Sequence, residues 1–535
     1  METWDYIIVG AGSAGCVLAN RLSENPAVRV LLLEEGPPDD SWLLRMPKGI
    51  GKVFQQTTYV HRYQTTHVQG GQPETWARGK TLGGSSAVNG MVWMHGQPED
   101  YDDWEAQGNR GWGWAEMAPR FKQLEDHALG EGESRGRGGP IKITPHPNRT
   151  RLADAFIAAA EDMGIPRKDD LNVVEQEGVG YLMHNISKRR ERFSAARGFL
   201  KPVRGRRNLT VLTGVRIDKV LIEDGKASGV VGRRDGAPVR YLSHREVILS
   251  AGAVISPKLL LLSGVGPADH LRAVGVPLVA DRPGVGGNMR EHRLLHLRYR
   301  LKFRQDSQNL DYQGVGLMIS MLKYILFRTG PMSLGAFDAA AFVRSSPDLN
   351  RPDGQLMFAP WARSGGPTTL HTDASMDAFT YLLRPESQGT IRLGGADPDA
   401  PLAITPNYLS TDYDRKHAAA LIRLLRRIME SPRLKAMVDG ETDKTAWAQT
   451  DDEIAKAILD QGNAGAHACG TCAMGQGPLS VVDERLRVRG VEGLRVCDLS
   501  IFPEMVSGNT NAPVMAVALR AADLFIEDQT AWGRA

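Results

Sequence analysis

Gly10, Gly12 and Gly15 follow the apolar run Ile7-Ile8-Val9 at a spacing suited to holding a diphosphate. That chemistry asks three things of glycine: a tight turn, close approach of backbone to a pyrophosphate, and close packing of a helix on its strand. A helix starting here also aims its N-terminus at the phosphates. Glu34 ends a second apolar run about 20 residues beyond the last glycine. A carboxylate there accepts from ribose hydroxyls and disfavours the extra phosphate of NADP. The motif calls for a dinucleotide and leaves open whether its reactive end is nicotinamide or flavin.

Cys469-Gly470-Thr471-Cys472 has the spacing of a redox or metal pair. With only four cysteines, no second pair and no histidine spacing to complete a zinc set, neither a disulfide framework nor a metal site is expected. The basic run at 188–207 holds nine lysines and arginines against Glu191 and reads as a solvated face, with docking to an acidic partner or a membrane surface as the alternative. The chain as a whole has 65 basic and 62 acidic residues and a formal net charge of +3, too weak a field to make nucleic acid a partner.

The elements that must position these groups begin at once. Asp5 to Val9, the glycine turn, helical spacing from Ala14 to Leu22 and the run from Val28 to Leu33 make strand, turn, helix, strand, hence a parallel crossover unit. Strand-length pieces continue at 209–212, 217–222, 228–232, 239–242 and 245–250. Between about 295 and 460 the composition shifts to Pro, Gly and Ser loops around strands, with one amphipathic helix presenting Leu421, Leu424, Leu425 and Ile428. At 535 residues the chain exceeds one domain. The stretch 315–327 is apolar but too short to span a bilayer and is interrupted by Lys323, so a core helix is expected, with a membrane-surface contact as the alternative. The first residues show no basic region before an apolar run, and a cytoplasmic protein, possible membrane contact aside, is expected. The loop-like stretches 130–139 and 363–373 read as solvated connections, with cover over a site as the alternative.

A second glycine-rich segment, Arg78-Gly79-Lys80-Thr81-Leu82-Gly83-Gly84-Ser85-Ser86-Ala87-Val88-Asn89-Gly90, resembles the flavin-facing segment of the glucose-methanol-choline oxidoreductase family. Three further segments follow in that family's order: Ser250-Ala251-Gly252-Ala253 continuing to Gly266, His467 to Gly475, and Asp498 to Pro513. The resemblance implies an α/β fold, with a Rossmann-like FAD-binding domain on a parallel sheet (1–150, 205–294 and 461–535) and an α+β substrate domain on an antiparallel sheet (151–204 and 295–460). It also implies FAD contacts from Ser13, Arg78, Thr81, Gly83, Asn89, Gly90, Met91, Val92, Val215, Ala251, Asp498 and Thr510, beside Gly10, Gly12, Gly15 and Glu34. Where some members carry a histidine that bonds FAD covalently, this sequence has Val88, so non-covalent FAD is expected.

Alcohol oxidation needs a base near the hydroxyl while hydride leaves carbon for flavin N5. The resemblance puts that base at His467 and its partner at Asn511, whose amide can orient the oxygen without competing for its proton. The implied reaction is oxidation of a primary alcohol, aliphatic or aromatic, to the aldehyde, with oxygen or a quinone- or dye-type acceptor taking the electrons. A non-redox lyase of the hydroxynitrile lyase kind on the same fold is the alternative. Two departures from the family's pattern stand out. Ala466 precedes the histidine where a bulky aromatic is common, which implies a roomier pocket, and Met289-Arg290-Glu291-His292 replaces a segment usually carrying Leu and Asp.

Overall fold

The computed structural model describes residues 2–66, 72–364 and 369–532. Strand β1 (Thr3–Val9) turns at Gly10 into helix α1 (Ser13–Leu22) and returns as β2 (Val30–Leu33), parallel to β1. Every residue of β2 is buried, as expected of a parallel strand covered on both faces. On the other side of β1 lies the end of β3 (Ala237–Leu249), also parallel, whose chain runs through Ser250 and Ala251 into helix α2 (Gly252–Leu262). Leu209–Leu212 extends the sheet beyond β2 and Leu494–Val496 pairs with β3, both in parallel. Antiparallel strands Val215–Glu223 and Lys226–Arg234 complete it. Val9 stands in register with Leu33 and Leu249, so three strand ends open on one crevice, the place where parallel sheets hold ligands.

The second large sheet is antiparallel. Its central strands are β4 (Arg293–Leu301) and β5 (Ser375–Leu382), followed by Gly354–Ala359, Ala339–Val343 and Gly178–Tyr181, with Val438–Glu441 at the far edge. The two-residue period of β5 splits its side chains. Met376, Ala378 and Leu382 pack with Leu421 and Leu425, while Phe379 and Tyr381 join Met357 on the opposite face. Between β4 and β5 in the chain lies helix α3 (Gly314–Phe327), and after β5 comes helix α4 (Asp412–Met429), which buries Leu421, Leu425 and Ile428 as its spacing predicts. The last helix, α5 (Asn511–Trp532), starts at the crevice of the first sheet and packs along α1. The fold is therefore the expected one: a Rossmann-like parallel unit joined to an antiparallel α+β unit.

Three expectations are corrected. Residues 315–327 are not a core helix: Ser320 and Tyr324 are the buried positions of α3, and its other face is open. Apolarity alone does not reveal whether a partner covers a face, and here only the inner side is packed, against Leu43, Met46 and Met332. The run 188–207 is only partly solvated: Lys188 and Arg189 are exposed, but Arg192 is buried and donates to the Asn89 carbonyl and side chain at 2.6 and 2.8 Å. The stretch 363–373 is not merely a connection, because Arg363 and Leu370 line the main cavity. Its residues 365–368 lie outside the described residues.

Candidate active site

A cavity of about 1010 Å³ runs from the first glycine loop to the apolar face of the antiparallel sheet. At its nucleotide end Gly10, Gly12 and Ser13 form the wall. Gly15 stands behind them, where a Cβ would lie 1.9 Å from the Gly10 carbonyl oxygen; the helix can pack this close only without a side chain. Glu34 sits at the end of β2 and accepts from the Ala11 and Gly36 amides, each at 2.9 Å. Burial pushes its carboxyl up to about 7 against those two donors. Val215 and Ala251 line the same end. Asp498 accepts from the Gly252 amide at 2.8 Å, from Ser256 Oγ at 2.5 Å and from the Ser500 amide at 2.8 Å. Its carboxyl is likewise raised by burial.

The second glycine segment closes the cavity's long side. Arg78, Asn89, Gly90, Met91 and Val92 line it, as does Thr510. Thr81 and Gly83, expected on the cofactor, stand one layer back. Thr81 Oγ1 donates to the Pro37 carbonyl at 2.8 Å, tying the segment to the turn after β2, and the Gly83 amide donates to the Ala11 carbonyl at 2.7 Å, fastening one glycine segment to the other. Gly84 shows how closely: a Cβ there would lie 2.7 Å from the Gly12 Cα.

At the reaction end His467 is held from three sides. Its backbone amide and that of Ala468 donate to Glu291 at 2.7 and 3.0 Å, and Arg78 donates to the same carboxylate at 3.0 Å. Burial pushes Glu291 up to about 7, with Arg78 opposing. The preceding residue, Ala466, adopts a φ of 64°, a left-handed backbone that is costly for alanine and aims the next side chain.

The imidazole itself belongs to a directed chain. His292 Nε2 lies 2.7 Å from the Leu383 carbonyl, and His292 Nδ1 lies 2.8 Å from His467 Nδ1. A carbonyl only accepts, so His292 carries its proton on Nε2 and presents a lone pair at Nδ1. His467 must then donate from Nδ1, which leaves its Nε2 lone pair facing the cavity. Burial holds His467 well below the usual 6.5, helped by repulsion against a second proton on the pair it forms with His292 and by the charge of Arg78, and holds His292 at about 4. Both rings are therefore neutral at neutral pH, and the outward nitrogen is a free base.

Asn509, rather than the expected Asn511, stands beside that nitrogen. Asn509 Nδ2 lies 3.1 Å from His467 Nε2. Asn511 is the first residue of α5, and its Oδ1 accepts instead from Ser13 Oγ at 2.9 Å, joining the N-terminal ends of α5 and α1. The reason is geometric: once α5 begins at Asn511, its side chain follows the helix toward the nucleotide end, and Asn509 in the extended turn before it reaches the histidine. Sequence reasoning also assigned no role to Glu291 or His292. Their segment was visible only as a departure from pattern, and the hydrogen bonds that matter span more than 170 residues.

Beyond His467 the cavity is walled by Leu294, Phe337, Met357, Trp361, Phe379 and Tyr381. Lys48 also reaches in, its amine 5.3 Å from the Tyr312 ring and 5.0 Å from that of Trp361, and burial lowers it to about 8. Cys469 and Cys472 are free and buried, the thiol of Cys469 pushed up to about 12 by burial, so neither is an activated nucleophile.

The residues fit FAD. The amide atoms Asn509 Oδ1 and Asn511 Nδ2 are buried without a protein partner, both in residues that line the cavity. Backbone amides, two helix N-termini and a carboxylate at the ribose position supply the donors and acceptors of a dinucleotide.

Comparison with known proteins agrees. Models of the GMC oxidoreductase family match residues 4–294 and 385–518. The alcohol dehydrogenase [acceptor] of Pseudomonas putida is 38% identical over 98% of this chain and 96% of its own. Human mitochondrial choline dehydrogenase is 36% identical over 100% of this chain and 91% of its own. Among solved structures, pyridoxine 4-oxidase from Mesorbium loti superposes with a TM-score of 0.88 at 31% identity, covering 98% of this chain and 99% of that one.

Proposed function

This chain belongs to the GMC oxidoreductase family, and from that premise we propose that it oxidises an apolar primary alcohol, aliphatic or aromatic, to the aldehyde with His467 as general base. Family membership implies FAD, which when bound supplies the hydride acceptor. We assign its binding to segments 1–150, 205–294 and 461–535, and the alcohol to 151–204 and 295–460. With Val88 at the position of covalent attachment, the reading is a non-covalent cofactor.

The observation that carries this reading is the directed chain from Leu383 through His292 to His467. It leaves His467 Nε2 unprotonated, accepting from Asn509 Nδ2 at 3.1 Å until an alcohol oxygen takes that place. An alcohol oxygen entering between them gives its proton to Nε2 and accepts from Nδ2, so the oxygen is deprotonated and steadied at once.

The walls argue for the substrate class. Although choline dehydrogenases are among the relatives, a quaternary ammonium needs an aromatic cage or a placed carboxylate. Here the rings of Tyr312 and Trp361 face the chain's own Lys48, and Arg363 adds a second cation to the same cavity. An uncharged apolar alcohol meets Phe337, Met357 and Phe379 instead. The electrons leave to oxygen or to a quinone- or dye-type acceptor. The test is a panel of primary alcohols given anaerobically, then with a dye, then with oxygen, reading flavin absorbance throughout. Bleaching by apolar primary alcohols and not by choline is expected. Turnover of a cyanohydrin with the flavin never bleached would replace the oxidase chemistry by lyase chemistry.

A further inference from the structure

Helix α3 has two faces with opposite fates. Its inner face roofs the cavity: Leu317 and Met321 line it, and Ser320 and Tyr324 are buried. Its outer face presents Val315, Met318, Ile319, Leu322, Ile325 and Leu326, each at least half exposed, with Val315 at 68% and Met318 at 69%. These positions recur at three- and four-residue steps, the stripe of a helix that buries one side against a partner. Within the described residues nothing covers them. Phe327 at the end of the helix, 69% exposed, and Trp42, 53% exposed beside the cavity-lining Leu43, extend the apolar surface.

Cations fringe this surface. Lys323 stands at the edge of the stripe, Arg328 caps the helix, and the Tyr324 hydroxyl donates to the Arg190 carbonyl at 3.0 Å, which brings the turn carrying exposed Lys188 and Arg189 alongside. The acidic groups nearby are Asp311, half-buried and under the influence of Lys323, and Glu191, which is engaged by Arg197 at 2.7 Å and Arg328 at 3.8 Å. Just before Trp42 in the chain stand exposed Asp40 and half-buried Asp39, the latter engaged by Arg204 at 3.6 Å. The helix itself holds no acidic residue.

We propose that the outer face of α3 docks the protein on an anionic lipid surface, the helix lying in the plane of the headgroup boundary with Lys323, Lys188 and Arg189 on the phosphates. A short, apolar, cation-edged helix face has the character of such an element. A second copy of the chain fits less well. Fourteen residues make a face about 21 Å long and 10 Å wide, small beside the roughly 800 Å² per partner of a stable protein interface. No helix among the described residues is long and apolar enough to cross a membrane, so the contact is one of lying on it.

The experiment is co-sedimentation of the FAD-loaded protein with vesicles of phosphatidylcholine, with and without phosphatidylglycerol. Binding at least about tenfold tighter to the anionic vesicles, weakened by salt, is expected. The double variant Leu322→Glu/Leu326→Glu should lose binding while keeping its flavin and its turnover of a short, water-soluble alcohol. Lys323→Glu/Arg189→Glu should lose only the preference for anionic vesicles, and it stands as the test if the first variant does not fold. Wild-type protein left in the supernatant with both vesicles, or glutamate variants that sediment like wild type, would overturn the proposal. So would sedimentation velocity showing a dimer that Leu322→Glu/Leu326→Glu splits, with no vesicle binding: the face would then belong to a second copy.

Discussion

The two ends of the cavity are made of different materials. The nucleotide end is built from backbone: the loop of Gly10 and Gly12, the amides that hold Glu34, and the starts of α1 and α5. The reaction end is built from side chains drawn from Arg78, Glu291, His292, Asn509 and His467, plus the Leu383 carbonyl, and each is fixed by another from a distant segment. Backbone groups are positioned by local turns, so a side-chain change at the first end acts on how tightly the nucleotide is held rather than on the chemistry. The second end is a network, and networks fail as units.

The sharpest way to break the second end is His467→Ala. With the lone base removed, turnover of the best alcohol should fall by roughly 10²–10⁴-fold, the usual contribution of a positioned base. The purified variant should remain yellow, because the nucleotide end is untouched. A colourless variant would mean that the two ends are not separable.

The asparagines test whether the division falls where the structure puts it. Asn509→Ala removes the donor on His467 Nε2 and should cost roughly 10–100-fold in kcat, the worth of a hydrogen bond to a developing charge. Asn511→Ala removes the bond to Ser13 and should act mainly on FAD retention, with kcat reduced much less. Steady-state kinetics at saturating FAD separate them. Equal losses in kcat would return Asn511 to the role first expected of it.

Glu34→Ala probes the first end. Its carboxylate serves two amides and the ribose position, so the variant should release FAD about tenfold more readily, seen as flavin in the filtrate after dilution. Turnover with FAD restored should be near that of the parent chain.

This contrast also explains what could be read in advance. The parallel unit, the glycine loop and Glu34 were legible because each depends on neighbours within a few dozen residues. Asn511 was expected on His467 and Asn509 stands there, because Asn509-Thr510-Asn511 contains the same amide twice and only the start of α5 decides which one meets the histidine. Glu291 and His292 carried no local signal, since their partners lie across the cavity in β5's exit and in the segment around 467. The open face of α3 was misjudged for a related reason. An apolar stretch predicts burial, and what it is buried against is not written in its own residues.

The smallest effect examines the relay itself. In His292→Phe the Nδ1–H of His467 has no acceptor, and the ring is free to place its proton on the cavity side, where it is no longer a base. Loss of one such bond costs roughly 1 kcal/mol, which is a several-fold fall in kcat with KM nearly unchanged. His292→Gln should recover part of it, because an amide can both donate to the Leu383 carbonyl and accept from His467, whereas a role in packing alone would be served as well by phenylalanine. The parent chain's pH profile supplies the control. Because burial holds His467 well below 6.5, the base is neutral above that value, and the rate should fall only as pH drops through a lower value. A rate limb centred at or above 6.5 would mean that the base in solution is not the buried imidazole seen here.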